Sequence, residues 1–175
     1  ISVLKNIFKI EIIAVKNEVK ELLVFMNSKF ETENVEISCT NLESDDVVFS
    51  FNFNDEKERN AMFSEPQKFL YIPNNAVLKS GGFNSLSEKF NLKKLHPNSH
   101  FYTNGERLEG FPGRVLEIEI VDSKTIKKGD KFNIISKNYP LTPEEIKKKY
   151  KISDGGNSYL IFTQTQKGKI ILKSR

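Results

Sequence analysis

Little in this sequence offers covalent or redox chemistry. Its 175 residues include one cysteine, two histidines and no tryptophan. A single cysteine excludes an internal disulfide framework. Cys39 lies in the alternating stretch VEISCTNL with no base near it in sequence, so it reads as a strand residue rather than a nucleophile. Long apolar runs are also lacking. IEIIAV and ELLVFM are too short to cross a bilayer, and no membrane partner is expected. No charged-then-apolar leader opens the chain. With neither disulfides nor an export signal, a reducing cytoplasm is the expected compartment. The first residue is Ile1 rather than Met, which points to a segment of a longer protein.

Cofactor and catalytic signatures are missing as well. There is no P-loop, no G-x-G-x-x-G, no C-x-x-C, no H-E-x-x-H and no G-x-S-x-G. SGGF and DGGN are lone double glycines that suit turns. Both histidines fall in NLKKLHPNSHFYTN, Asn91 to Asn104. His96 and His100 are four apart, but Pro97 and Asn98 between them break any helix that would set them on one face. No Asp, Glu or Cys joins them in the stretch. No metal site and no catalytic residue is therefore expected. The stretch reads as a Pro-Asn turn, with one histidine bonding a nearby backbone group.

What is present is a succession of short strands with few helices. IFKIEIIAV and VKELLVFMN read as a hairpin, although Val19, Leu22, Leu23 and Met26 also fit a helical stripe. NVEISCTNL and DVVFSFNFN give a second strand pair across LESDD, with Val47, Phe49, Phe51 and Phe53 on one strongly apolar face. NDEKERNAMFSEP reads as a surface loop with at most one helical turn. QKFLYIP is a strand. In NNAVLKSGGFNSLSEKFNL, Asn74 or Asn75 can cap a helix that Gly81-Gly82 interrupts, with Phe83, Leu86 and Phe90 facing a core. HFYT, RVLEIEIVD and KFNIISKNY are further strands, the second with Leu116, Ile118 and Ile120 on one face. PLTPEEIKKKYKI carries the clearest helix start, with Thr142 as cap, Pro143 at the first position and Glu145 completing a capping box. SDGGNS stops that helix, and YLIFTQT and KIILKSR close the chain as a hairpin. The fold class is α+β, with mostly antiparallel sheets, few short helices and ferredoxin-like layering.

The net charge of +4 is unevenly spread. Up to Phe90 there are 10 basic and 14 acidic residues, and from Asn91 onward 17 and 9, so the balance moves from −4 to +8. A basic half of this kind is a footprint that nucleic acid can use. Three places in it offer candidate contacts. Lys93 and Lys94 precede His96 in the turn. Arg114 follows FPG at a strand start, where its guanidinium can reach a phosphate or a carboxylate. Lys137, Asn138 and Tyr139 lead into the N-terminus of the last helix, whose free N–H groups favour an anion, and Lys147 and Lys148 follow on that helix. Tyr139 and Tyr150 can stack on a base. The alternative use for such a chain is a structural or interaction module that binds no nucleic acid and either packs on a catalytic domain or mediates dimerisation, with the Phe-rich strand Val47–Phe53 as its apolar interface.

Three blocks also resemble a known family. They are a Tyr71, Pro73, Asn74, Lys79, Gly81 pattern, the run Leu92 to His100, and Phe111-Pro-Gly-Arg114, followed by the tail IISKNYPLTPEEIKKKYKISDGGNSYLIFTQ. Together they resemble bacterial, largely Bacteroidetes-type, class I S-adenosylmethionine-dependent methyltransferases, in which a ferredoxin-like segment and a THUMP-like domain follow the catalytic domain. The resemblance covers roughly Lys68 to Gln164 and implies a ferredoxin-like segment over 61–110 and a THUMP-like domain over 111–175; the strand-rich segment over 1–60 is read as either the end of the methyltransferase sheet or a linker to it. It implies a C-terminal substrate-recognition region that binds RNA, either tRNA or rRNA. It further implies no cofactor in this chain, S-adenosylmethionine in the full-length parent, and the parent's own N-terminal methyltransferase domain as partner.

Overall fold

The computed structural model describes residues 6–29, 34–44 and 47–175. In chain order the elements are β1 (Ile7–Val15), β2 (Glu18–Met26), β3 (Glu36–Leu42), β4 (Val48–Asn52), α1 (Phe53–Glu58), β5 (Phe69–Pro73), α2 (Asn75–Ser80), α3 (Phe83–Lys89), β6 (Lys93–Lys94), β7 (Tyr102–Asn104), β8 (Gly113–Ile120), β9 (Asn133–Ser136), α4 (Pro143–Tyr150), β10 (Tyr159–Thr165) and β11 (Gly168–Ser174). This is a mixed α+β fold with two sheets among the described residues. It forms two compact units, each assembled from discontinuous segments.

The first unit takes the chain up to Met62, then Ile72–Leu92 and Leu108–Arg114. Its sheet has four strands in the order β2-β1-β3-β4. The β1–β2 hairpin turns through Lys16 and Asn17, both at positive φ (49° and 65°), the backbone that a two-residue hairpin loop matched to strand twist requires. The helical alternative for β2 is thus resolved in favour of a strand. A helix there would lose the β1 ladder, which runs from Ile7↔Met26 to Val15↔Glu18. β3 runs parallel to β1 and antiparallel to β4. The LESDD connection between them includes Asp45 and Asp46, which lie outside the described residues.

Ile10, Ile12, Ala14, Ile37, Cys39, Phe49 and Phe51 are buried on this sheet. Helix α2 lies against it. Asn74 caps α2, accepting the Val77 N–H at 3.0 Å, and Gly81 ends it in the left-handed region (φ 79°). Phe49 and Phe51 stack on each other at 5.6 Å, and Gly82 lies so close to the Phe51 ring that a Cβ there would collide with it. The Phe-rich strand is therefore core and not interface. Its alternation was legible, but its cover comes from a segment thirty residues downstream.

The second unit comprises Phe63–Tyr71, Lys93–Arg107 and Val115–Arg175. Its strands belong to the seven-stranded sheet, in the order β6-β7-β5-β8-β11-β10-β9. The β10–β11 hairpin is antiparallel, β8 joins β11 antiparallel, and β9 joins β10 in parallel. That parallel pairing requires a crossover, which α4 supplies. Ile146 of α4 is fully buried with Ile152, Leu160, Phe162 and Ile171. Thr142 and Glu145 form the expected capping box, with Pro143 inside the first turn. The helix ends at Lys151, itself in the left-handed region (φ 56°), before the glycine pair is reached. SDGGNS therefore does not stop the helix. Gly156 instead lets the chain pass close to the Lys131 carbonyl, which a Cβ would meet at 2.9 Å.

Candidate nucleic-acid interface

The second unit holds most of the sequence-predicted contacts, and two turns bring several of them together. In the first turn, the Ser99 N–H donates to the His96 carbonyl at 3.1 Å, closing the chain around Pro97 and Asn98. His96 Nδ1 accepts the Asn98 N–H at 3.0 Å, so a histidine does bond a backbone group of the turn. The second turn follows β9, where Asn138 sits in the left-handed region (φ 52°). Its Nδ2 stands 3.0 Å from the same His96 Nδ1. With Nδ1 accepting, the ring proton of neutral His96 is assigned to Nε2. Lys94 is 6% exposed, and its Nζ donates to the Pro97 carbonyl at 3.1 Å. That ammonium braces the turn rather than meeting solvent, whereas Lys93 is half-buried and Lys137 is exposed. Burial first, then the positive charges of Lys94 and Lys137, hold His100 below the usual histidine range. His100 is thus a neutral neighbour of these lysines at pH 7.

Other predicted contacts are committed elsewhere. Tyr139 and Tyr150 are half-buried. Both pack on Phe162, at 5.4 and 5.7 Å between centroids, and burial raises the Tyr139 hydroxyl above its ordinary value. The N-terminus of α4 is not an open anion seat either. Glu145 accepts from the Thr142 N–H at 2.8 Å, and those hydrogen bonds hold its carboxyl below the usual range. Lys147 is paired with Asp154 at 2.6 Å and with Glu144 at 3.5 Å. Lys148 is exposed on the same helix. Arg114 is exposed and belongs to the first unit. Next to it in FPGR, Gly113 has φ 151°, and a Cβ there would collide with the Ile72 carbonyl, so this glycine serves a close backbone approach.

The structure adds lysines that sequence spacing did not single out. The loop before β9 is laced to the end of α4: Gly129 N–H to the Lys151 carbonyl at 2.9 Å, Ser153 N–H to Asp130 at 3.1 Å, and Phe132 N–H to Ser153 at 3.1 Å. Lys127, Lys128 and Lys131 of the loop thereby come beside Lys151, all four exposed. None of them is ion-paired among the described residues, in contrast to Lys147 and Arg175. β9 then carries the chain to Lys137 at its other end, a four-residue strand that spans roughly 13 Å. Unpaired lysines thus flank both ends of β9, with Lys148 and Lys149 on the helix that returns alongside. KKG and KKKYK were visible as charge runs, but the hydrogen bonds that join them are long-range.

Gly81 and Gly82 terminate α2 and crowd Phe51, and Gly156 borders Lys131, so neither glycine pair forms the strand–loop–helix cradle that a nucleotide-like cofactor requires. Among the described residues, no three His, Cys, Asp or Glu side chains gather to hold a metal ion. Burial pushes the Cys39 thiol up to about 11, which keeps it protonated. No described helix is long and apolar enough to cross a membrane.

Comparison with known proteins gives the middle and the C-terminal part of the chain family matches. Residues 69–112 match a family described as a ferredoxin-like domain, and residues 113–174 match one described as THUMP domain-like. No curated protein matches the chain. Among solved structures, a crystal structure of a "putative methyltransferase" from Porphyromonas gingivalis W83 shares the fold, with a TM-score of 0.85 and 32% sequence identity. The match covers 98% of this chain and 46% of that one, so this chain spans about half the length of its structural relative.

Proposed function

We propose that this chain is the substrate-recognition part of a class I S-adenosylmethionine-dependent methyltransferase, and that it holds structured RNA, tRNA or rRNA, by its phosphates in the cytoplasm. In this reading segment 1–60 adjoins the catalytic half, 61–110 is the ferredoxin-like segment and 111–175 is the THUMP-like domain that faces the substrate. S-adenosylmethionine, bound by the catalytic half, supplies the methyl group. The residues of this chain position the acceptor and do no bond-making themselves. The observation that carries the reading is the lysine layer around β9. A solvated surface has no need to lace the Lys127–Lys131 loop onto Lys151–Ser153, whereas a phosphate backbone needs several fixed positive charges within a few ångströms of one another. The match to THUMP-like domains and the methyltransferase relative support the same reading.

The test is a fluorescence-anisotropy titration with bacterial tRNA and a short rRNA hairpin. If four lysines each neutralise one phosphate, affinity falls about 100-fold between ~50 and ~200 mM salt. Lys127→Ala, Lys131→Ala, Lys137→Ala and Lys148→Ala together are expected to flatten that dependence. Lys147→Ala is the control, because Lys147 is already paired with Asp154. Absence of RNA binding at low salt would overturn the RNA reading.

A further inference from the structure

We propose that β2 is the docking strand for the methyltransferase-type half of the protein, which covers its free edge and both its faces; this rests on the function proposed above. Among the described residues, β2 stands at the edge of the four-stranded sheet, paired on one side only, to β1. Leu22, Leu23, Val24, Phe25 and Met26 are 53, 38, 39, 36 and 56% exposed. The register divides them between the two faces. Leu22 and Val24 lie opposite Ile12 and Ile10, both buried, so they extend the core face of the sheet beyond its cover. Leu23 and Phe25 lie opposite Glu11 and Lys9 on the other face, where Phe8, 40% exposed, stands 6.2 Å from the Phe25 ring.

A strand that is apolar on both faces has the composition of a sheet interior, not of a boundary. Soluble edges are normally protected by charge or proline. The charges of β2, Glu18, Lys20 and Glu21, are confined to its start, and LLVFM carries none. Two copies pairing β2 to β2 would satisfy the edge hydrogen bonds but leave the same residues open on both faces of a wider sheet. A domain-sized body covers three sides at once, adding a strand to the edge and flanking it. The Porphyromonas gingivalis relative has chain enough for such a body, since the present fold accounts for 46% of it.

The experiment compares amide hydrogen exchange in the protein carrying both halves and in the 175-residue chain. Amides of Leu22–Met26 are expected to exchange about 100-fold more slowly in the former. Equal, fast exchange in both would overturn the proposal. So would a dimer of the 175-residue chain by sedimentation that Leu22→Lys/Val24→Lys dissociates, since the occupant would then be a second copy. Binding of radiolabelled S-adenosylmethionine to the protein with both halves separates the two readings. Bound cofactor with an unprotected β2 sinks the docking and spares the methyltransferase assignment; a protected β2 without cofactor binding does the reverse.

Discussion

The two compact units differ in charge and in how they expose apolar surface. The first carries 10 basic and 14 acidic residues, a balance of −4, and the second 17 and 9, a balance of +8. Among the described residues, nearly all of the large exposed hydrophobics, from Phe8 through β2 to Met62, belong to the first, and only Phe63 and Ile120 to the second. The acidic unit thus presents an apolar strand and the basic unit a lysine layer. An apolar edge is suited to a permanent neighbour, because it cannot face water cheaply. A lysine layer is soluble alone and suits a partner that comes and goes. One chain that separates the two kinds of surface is equipped for two different associations.

The sharpest way to compare the units is to truncate their cores. Phe49 is 1% exposed in the first and Phe162 is 0% exposed in the second. Either change to Ala is expected to cost about 3–5 kcal/mol in urea unfolding. Phe162→Ala also removes the ring on which Tyr139 and Tyr150 rest. It is therefore expected to weaken RNA binding, whereas Phe49→Ala leaves binding by the folded fraction unchanged. Loss of binding in both at matched folded fraction would break the distinction.

Charge gives the next contrast. Lys127→Glu/Lys131→Glu, in the second unit, is expected to lower RNA affinity at least ~10-fold at low salt and to flatten its salt dependence by about two phosphate equivalents. Lys16→Glu/Lys20→Glu, in the first unit, removes as many positive charges and is expected to change affinity by less than about 2-fold. Equal losses would mean that net charge, not the lysine layer, governs binding.

Much of this was legible in the sequence, and unevenly so. The capping box of α4, the β10–β11 hairpin, the Asn74 cap and the histidine-bearing turn depend on residues within a few positions of one another. The charge partition was read correctly for a less secure reason. Relative to a cut at Phe90, the first unit gives up Glu65 and Lys68 and takes Glu109 and Arg114, so the exchange is neutral. What stayed hidden depends on distant partners. The packing of Tyr139 and Tyr150 on Phe162 cannot be read locally, and Phe49 and Phe51 look like an interface until Gly82 closes on them. β2 could be read as strand or helix, but nothing local says that one of its edges is left open.

Helix caps give a smaller contrast. Asn74 caps α2 from a site only 4% exposed, while Thr142 caps α4 at the surface. Thr142→Ala is expected to cost about 1 kcal/mol. Asn74→Ala is expected to cost about 2, because it also strands a buried Val77 N–H. Equal costs in chemical denaturation would show that cap burial adds nothing here.

The smallest expected effect belongs to His100, and it tests the lysines from within. Burial, then Lys94 and Lys137, keep its folded pKa below the ordinary 6.5. The unfolded chain therefore binds this proton first as pH falls. The contribution of His100 to stability is complete above about 6.5 and declines as the pH drops below it. His100→Gln should remove that part of the acid slope and leave the neutral-pH stability unchanged. RNA phosphates drawn to Lys137 would cancel part of the charge that opposes His100 protonation, so its pKa should rise in the complex. An NMR titration of the His100 ring with and without RNA reads this directly. A ring that titrates at the same pH in both would place the phosphates away from Lys137, at the Lys127–Lys131 end of β9, even if the chain binds RNA tightly.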